Sequence, residues 1–226
     1  MEEYCHKIEM HAHTAQASPC GQFPGAVLIQ KYAEAGYEGV VITDHFRYGY
    51  TIFPQNDPDT QLDKLLSGYE DAKSMGDKLG IKVYMGAEMY FEDTQMLEFL
   101  LYGADRSFLR ESLLYVNGTL ERFYEFAHKN NVLVFVAHPF RYTDCPPDPA
   151  FIDGAETYNL HPGQNSRNAL GLEYALQNNL PQVSGSDAHE LHHVARGGIL
   201  TKYVPEDTAG LRDLLKSGDY QLITEA

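Results

Sequence analysis

Six short apolar runs in this sequence each stop at a histidine or an acidic residue, and this repetition constrains the fold more than any other feature. The first run leads into His11-Ala12-His13, Val40-Val41-Ile42-Thr43 stops at Asp44-His45, and Val83 to Ala87 stops at Glu88. Val132 to Ala137 stops at His138-Pro139, Gly154-Ala155 leads to Glu156, and Val183-Ser184-Gly185-Ser186 leads to Asp187-Ala188-His189. One buried histidine or carboxylate has ordinary structural explanations. Six at strand ends converge on one rim, the rim where parallel α/β barrels carry their active sites.

Amphipathic segments separate the runs. The spacing predicts strands over 4–10, 39–43, 82–87, 99–102, 132–137, 155–158 and 182–184, with further candidates at 198–201 and 220–223. Helices are predicted over 25–35, 61–79, 119–130, 165–178 and 206–216. In the first, Val27, Leu28, Tyr32 and Ala35 recur at helical spacing and Gly36 offers a stop. Strands alternating with helices predict a parallel α/β sheet. At 226 residues, one domain spanning 1–226 is the expected organisation. The loops 14–24, 47–60 and 141–149 follow strands and are rich in turn-forming residues, which places them on the active rim.

Residues i and i+2 of a strand point the same way, about 6.5–7 Å apart. His11 with His13, and Asp187 with His189, can therefore face one cavity in pairs. Imidazole and carboxylate together suit Zn, Mn or Fe better than Mg. Other chemistries lack their signatures. There is no G-x-S-x-G elbow, no G-x-G-x-x-G and no Walker sequence, and Cys20 and Cys145 carry no mark of activation.

Charge limits the partners. Seventeen basic against 32 acidic residues give −15 at pH 7, a surface that repels nucleic-acid backbones and anionic lipid. The 43% of hydrophobic residues suffice for a core, yet no run approaches membrane-spanning length. Glu2, Glu3, His6 and Glu9 stand where a signal peptide would be apolar. Three cysteines, Cys5, Cys20 and Cys145, suit a reducing compartment. A cytoplasmic protein without membrane contact is the expectation.

The series EMHAHT, VITDH, GAE, VAHP, GAETYN and GSDAH resembles the PHP (polymerase and histidinol phosphatase) family in order and spacing, and the segment Ser18-Pro19-Cys20-Gly21 resembles a bacterial branch of it. The resemblance implies a distorted seven-stranded (β/α) TIM-like barrel carrying two or three divalent metal ions (Mn, Fe or Zn). It implies that His11, His13, Glu88 and Asp187 hold the first metal. Glu88 would bridge to a second metal, which His138 also binds, and His45 and His189 would hold a third. Two departures stand out. Ser18 occupies a position where members commonly have Asp or His, with Cys20 nearby, and Glu98 stands on the strand where they usually offer a His. Glu98 is thus a candidate ligand, or an ordinary rim carboxylate.

The implied activity is that of a metal-dependent phosphoesterase acting on a small phosphomonoester or phosphodiester, with a metal-bridging hydroxide as nucleophile. His189, His45 and Asp44 are the nominees for protonating the leaving group. Arg141 and Arg196, with Arg47, follow the motifs closely enough for one of them to clamp a phosphate. Asp44 and Glu156 either orient ligands or serve the loops, and Glu9 is expected at the solvent. His161, His192 and His193 lie on loops after strands, where solvent exposure is the default and pocket lining the alternative. The expected partner is a small phosphorylated substrate or the end of a short oligonucleotide, and no long nucleic acid. Two rivals remain: a zinc amidohydrolase, whose barrel also opens with H-x-H, and a non-catalytic metal-stabilised module.

Overall fold

The computed structural model describes residues 3–53 and 55–225. Strand β1 (His6–Ala12) is buried from Ile8 onward, and β2 (Tyr37–Ile42) from Gly39 onward. Both faces of these strands are covered, which is why they read as continuous apolar runs and not as alternating ones.

The remaining strands are β3 (His45–Phe46), β4 (Lys82–Tyr90), β5 (Glu98–Tyr102), β6 (Leu133–Ala137), β7 (Gly154–Asn159), β8 (Gln182–Gly185), β9 (Gly198–Thr201) and β10 (Gln221–Ile223). Nine of the ten described strands follow one path, β10-β9-β1-β2-β4-β5-β6-β7-β8, with β3 paired to β4. The two ends of the ring meet at its rim, where Ala188, just beyond β8, bridges Ala12 in parallel. The result is a nearly closed barrel. Seven strands form the ring, as expected, but β9 and β10 extend the sheet beyond β1, so its path counts nine.

The expected all-parallel sheet needs a second correction. β5 runs antiparallel to both β4 and β6. Residues 91–97, a seven-residue link, join β4 to β5. A parallel crossover needs roughly a dozen residues or more, so a link this short forces the chain to turn back.

Among the described residues, six α-helices surround the ring: α1 (Gly25–Glu34), α2 (Pro58–Leu79), α3 (Arg106–Ser112), α4 (Leu120–Lys129), α5 (Asn168–Gln177) and α6 (Thr208–Ser217). Sequence spacing misses α3 and the two-residue β3, and starts α2 three residues late. Asp57 caps α2 by accepting from the Thr60 N–H, and Pro58 occupies its first turn. In α2, a Cβ at Gly68 would lie 1.8 Å from Thr14 Oγ1, so the glycine makes room for the loop that leaves β1. The barrel interior is filled by Ile8, Met10, Tyr84, Leu100, Tyr102, Phe135 and Val183, joined by Leu211, Leu214 and Leu215 of α6.

Glu9 contradicts its expected exposure. Its side chain is fully buried where β1 meets the end of β8. Oε1 accepts from the backbone N–H groups of Met10, His11 and Ser186, each at 2.9 Å, and Oε2 accepts from Tyr32 Oη at 2.9 Å and from the Ser186 hydroxyl. Five donors converge on one carboxyl, so Glu9 fastens the barrel closure just beneath the rim.

Candidate metal centre

His11 Nε2 and His13 Nε2 are 3.1 Å apart at the end of β1. Glu88 Oε1 lies 3.2 Å from His11 Nε2, and Asp187 Oδ1 lies 3.4 Å from His11 Nε2 and 3.2 Å from His13 Nε2. Glu88 Oε2 is 3.6 Å from His13 Nε2. Ligand atoms at about 2.0–2.1 Å from a tetrahedral ion stand about 3.3–3.4 Å from one another. His11, His13 and Glu88 are therefore spaced as ligands of one cation, with Asp187 beside both histidines.

Satisfaction of the polar atoms points the same way. Glu88 Oε1 is buried and has no hydrogen-bond partner among the described residues. Burial pushes the Glu88 carboxyl up, but His11 and His45 outweigh it and hold it well below the usual carboxylate range. Burial pushes His11 down, yet Glu156, Asp187 and Glu88 together raise it well above its ordinary value. His13 goes the other way, held low by burial and by the neighbouring His189 and His45. Three buried carboxylates are drawing positive charge to this spot, as a divalent cation would supply it.

The outer contacts orient the ligands. His11 Nδ1 is 2.9 Å from Glu156 Oε1, whose other oxygen accepts from the His138 N–H and from Asn159 Nδ2. His13 Nδ1 faces Ser18 Oγ at 3.4 Å, and His189 Nδ1 faces the Asp187 carbonyl at 2.9 Å. In each case Nδ1 faces an oxygen, an arrangement that suits a proton on Nδ1 and leaves Nε2 for a cation, the tautomer a ligand needs. His138 and Asp187 both have positive φ, 29° and 50°. Such strain costs about 1–3 kcal/mol per residue and concentrates at functional sites.

Beyond the first cluster, His138 Nε2 is 3.4 Å from Glu88 Oε1 and 3.6 Å from Glu98 Oε2, while His45 Nδ1 is 2.8 Å from Glu88 Oε2 and 3.9 Å from Glu98 Oε1. Glu98 reaches this place because β5 is reversed, which brings its first residue to the rim opposite Ala137. His13, His45 and His189 form a further group of ring nitrogens within 4.8 Å of one another.

Other expected residues fare differently. Asp44 does not line the cavity; it accepts from Thr14 N–H and Oγ1 and from Ser18 Oγ at 2.6–2.7 Å, tying the first loop to β2. Burial raises its carboxyl to about 6. Arg141 lines the cavity, donating to Asp187 Oδ2 at 2.7 Å and to Asn159 Oδ1 at 2.6 Å. Arg196 is not among the lining residues, and its Nη1 reaches only the His192 carbonyl. Arg47 lines the cavity with its guanidinium 4.1 Å from the centre of the Tyr90 ring.

The cavity measures about 570 Å³, and His161, His192 and His193 also line it, the alternative to the default of solvent exposure. They sit on loops whose course sequence spacing does not encode. Cys20, which carries no sequence mark of activation, stands with its Sγ 3.2 Å from His45 Nε2. Burial pushes its thiol up, but hydrogen bonds with His189 and His45 bring it down to about 6.

The family model described as "PHP domain" matches residues 9–168, and that described as "PHP-associated" matches residues 165–219. No curated protein matches the sequence. Among solved structures, the fold is similar to a two-domain Bacteroides vulgatus protein containing a predicted PHP-like metal-dependent phosphoesterase, with TM-score 0.68, 14% identity and 97% of this chain covered. This chain spans 64% of that protein's length. An amidohydrolase from Chromobacterium violaceum, with bound sulfate and no metal, is similar at TM-score 0.61 and 14% identity, over 97% of this chain and 98% of that one. A lesion-specific endonuclease from Pyrococcus furiosus follows at TM-score 0.59 and 16% identity, over 96% of this chain and 57% of that one. At these identities the likeness is one of fold.

Proposed function

Because the chain belongs to the PHP domain family, we propose that it is a metal-dependent phosphoesterase acting on a small phosphomonoester or phosphodiester. The observation that carries this reading is the cluster of His11, His13 and Glu88 at ligand spacing, with Asp187 beside both histidines and Glu88 Oε1 unpartnered among the described residues. His11, His13, Glu88 and Asp187 would hold a first divalent ion. Glu88, His138 and Glu98 would hold a second, and His45 and His189 a third. Mn, Fe and Zn are the ions that such mixed nitrogen and oxygen sets favour. What such cations supply when bound is Lewis acidity toward a phosphoryl oxygen and a water acidic enough to attack near neutral pH.

The chain's own residues prepare that chemistry. Glu156 fixes the tautomer of His11, and Arg141 holds Asp187 through the oxygen that faces away from His11 and His13. Arg47 offers a cation to a substrate phosphate from the cavity wall. Of the three nominees for protonating the leaving oxygen, Asp44 is engaged by the loop, and His45 and His189 would serve only where they hold no third ion. Asp187 and His189 lie in the segment matched as PHP-associated, and the other proposed ligands in the PHP match. Both segments would thus build one site, which supports a single catalytic unit over 1–226. Three free cysteines suit a reducing, cytoplasmic setting, and no helix among the described residues is long and apolar enough to cross a membrane.

The test is hydrolysis of nitrophenyl phosphomonoesters and phosphodiesters, and of model amides, by protein stripped with chelator and then reloaded with Mn, Fe or Zn. Metal-dependent phosphoester cleavage is the expected result. Amide cleavage alone would support the amidohydrolase reading, against which Glu88 counts, standing where that chemistry usually wants a carboxylated Lys. No turnover on any of them would support a non-catalytic module.

The endonuclease neighbour favours a second reading, a nucleic-acid substrate. A charge of −15 argues against long duplexes, because counterion release needs several basic contacts along a groove. Negligible affinity for a duplex of about 30 base pairs at physiological salt is expected. Submicromolar, salt-sensitive binding in a fluorescence anisotropy titration would reverse that preference.

A further inference from the structure

Within residues 14–24, the loop that leaves β1, Cys20 is the one described residue that lines the cavity. Ser18, two positions earlier, is turned inward: its hydroxyl donates to Asp44 Oδ1 at 2.7 Å and accepts from the His45 N–H at 3.0 Å. Cys20 Sγ instead stands 3.2 Å from His45 Nε2. A sulfur at about 2.3 Å and a nitrogen at about 2.0–2.1 Å from one tetrahedral ion would be about 3.5 Å apart. His45 belongs to the group with His13 and His189 whose ring nitrogens lie within 4.8 Å of one another. An independent observation points to a cation in the same cavity. Glu88 Oε1 is buried, lacks a partner among the described residues and belongs to a carboxylate whose other oxygen is 2.8 Å from His45 Nδ1.

We propose that Cys20 is a thiolate ligand of the third cation, completing with His45 and His189 a nitrogen–sulfur site beside the nitrogen–oxygen sites. This rests on the metal-centre reading above. On binding, the Cys20 S–H bond gives its proton to solvent as Sγ bonds the cation. The sulfur biases this one position toward Zn or Fe and away from Mn or Mg. His45 and His189 are then ligands, and the leaving oxygen takes its proton from solvent.

The test is cobalt(II) titration of the full chain after chelator treatment, followed by absorbance. The wild type should develop the visible d–d bands of histidine and carboxylate ligation together with a thiolate-to-cobalt charge-transfer band in the near ultraviolet. Cys20→Ser should lose the charge-transfer band and about one equivalent of retained zinc, while Cys145→Ser keeps both. Alkylation by iodoacetamide, followed by peptide mass spectrometry, supplies a readout on unsubstituted protein: zinc should slow modification of Cys20 tenfold or more and leave Cys145 unchanged. Visible bands without a charge-transfer band, or a band that survives in Cys20→Ser, overturns the thiolate ligand alone. Absence of all cobalt bands overturns the metal centre as well.

Discussion

Glu88→Gln should strip the protein of metal and lower phosphoester turnover by roughly a thousandfold, about 4 kcal/mol of transition-state stabilisation. Among the described residues, Glu88 is the one side chain that approaches all of His11, His13, His45 and His138, at separations of 2.8 to 3.6 Å. A neutral amide there removes the charge shared by two proposed cations and turns an –NH2 donor toward one of them. The fold should survive, because the carboxylate's first oxygen has no hydrogen bond to lose. Elemental analysis of protein purified without chelator should find at least two equivalents of Mn, Fe or Zn in the wild type and less than one in the variant. Glu98→Gln should cost less, because Glu98 approaches only His138 and His45, at 3.6 and 3.9 Å. Wild-type metal content and turnover in Glu88→Gln would refute the ligand assignment.

The largest effect on stability is expected from Glu9→Ala. The substitution leaves three backbone N–H groups and two hydroxyls without their acceptor at a place with no access to water. Stranding buried donors of this kind costs about 3–5 kcal/mol in total, with part of each group's penalty relieved by local adjustment. For a chain of this length the melting temperature should fall by roughly 10 °C. Burial pushes the Glu9 carboxyl above its ordinary value, so its neutral form is favoured more than at the surface. Glu9→Gln keeps an acceptor for the N–H groups but turns an –NH2 toward the two hydroxyls, so it should recover only part of the loss. Calorimetry on the two variants separates the outcomes. Equal melting temperatures for Glu9→Ala and the wild type would mean that the barrel closure does not depend on this carboxyl.

The two glutamates show where local pattern suffices and where it does not. Glu88 is readable from the sequence because it ends an apolar run, and the end of a covered strand is set by the chain around it. The same holds for His11, His13, His138 and Asp187, whose spacing and strand positions are properties of a few consecutive residues. Glu9 lies inside such a run and reads as a solvated residue. Its burial depends on Ser186, 177 residues away, arriving beside it when the barrel closes.

Strand direction was the other quantity that local pattern did not carry. Glu98 opens its strand, which in a parallel sheet would put it on the rim away from the site. The seven-residue link 91–97 reverses β5 and brings it opposite Ala137, beside His138. Periodicity reports which face a residue takes, and it is blind to the sense in which a strand runs.

The loops follow the same division. Asp44 stands at a strand end as clearly as Glu88 does, yet Thr14 and Ser18 fold back and claim both its oxygens. Cys20, His161 and His193 sit in segments without periodicity, and contacts distant in sequence carry them to the cavity. The sequence by itself determined the alternation of strands and helices and the histidines and carboxylates at strand ends, because each rests on hydrophobic spacing within one strand. The barrel and the proposed ligand sets were implied by the resemblance to the PHP family. Tertiary structure alone decided the reversal of β5, the burial of Glu9 and the choice among loop residues. Those depend on pairings between segments far apart in the chain, whose relative placement no local pattern encodes.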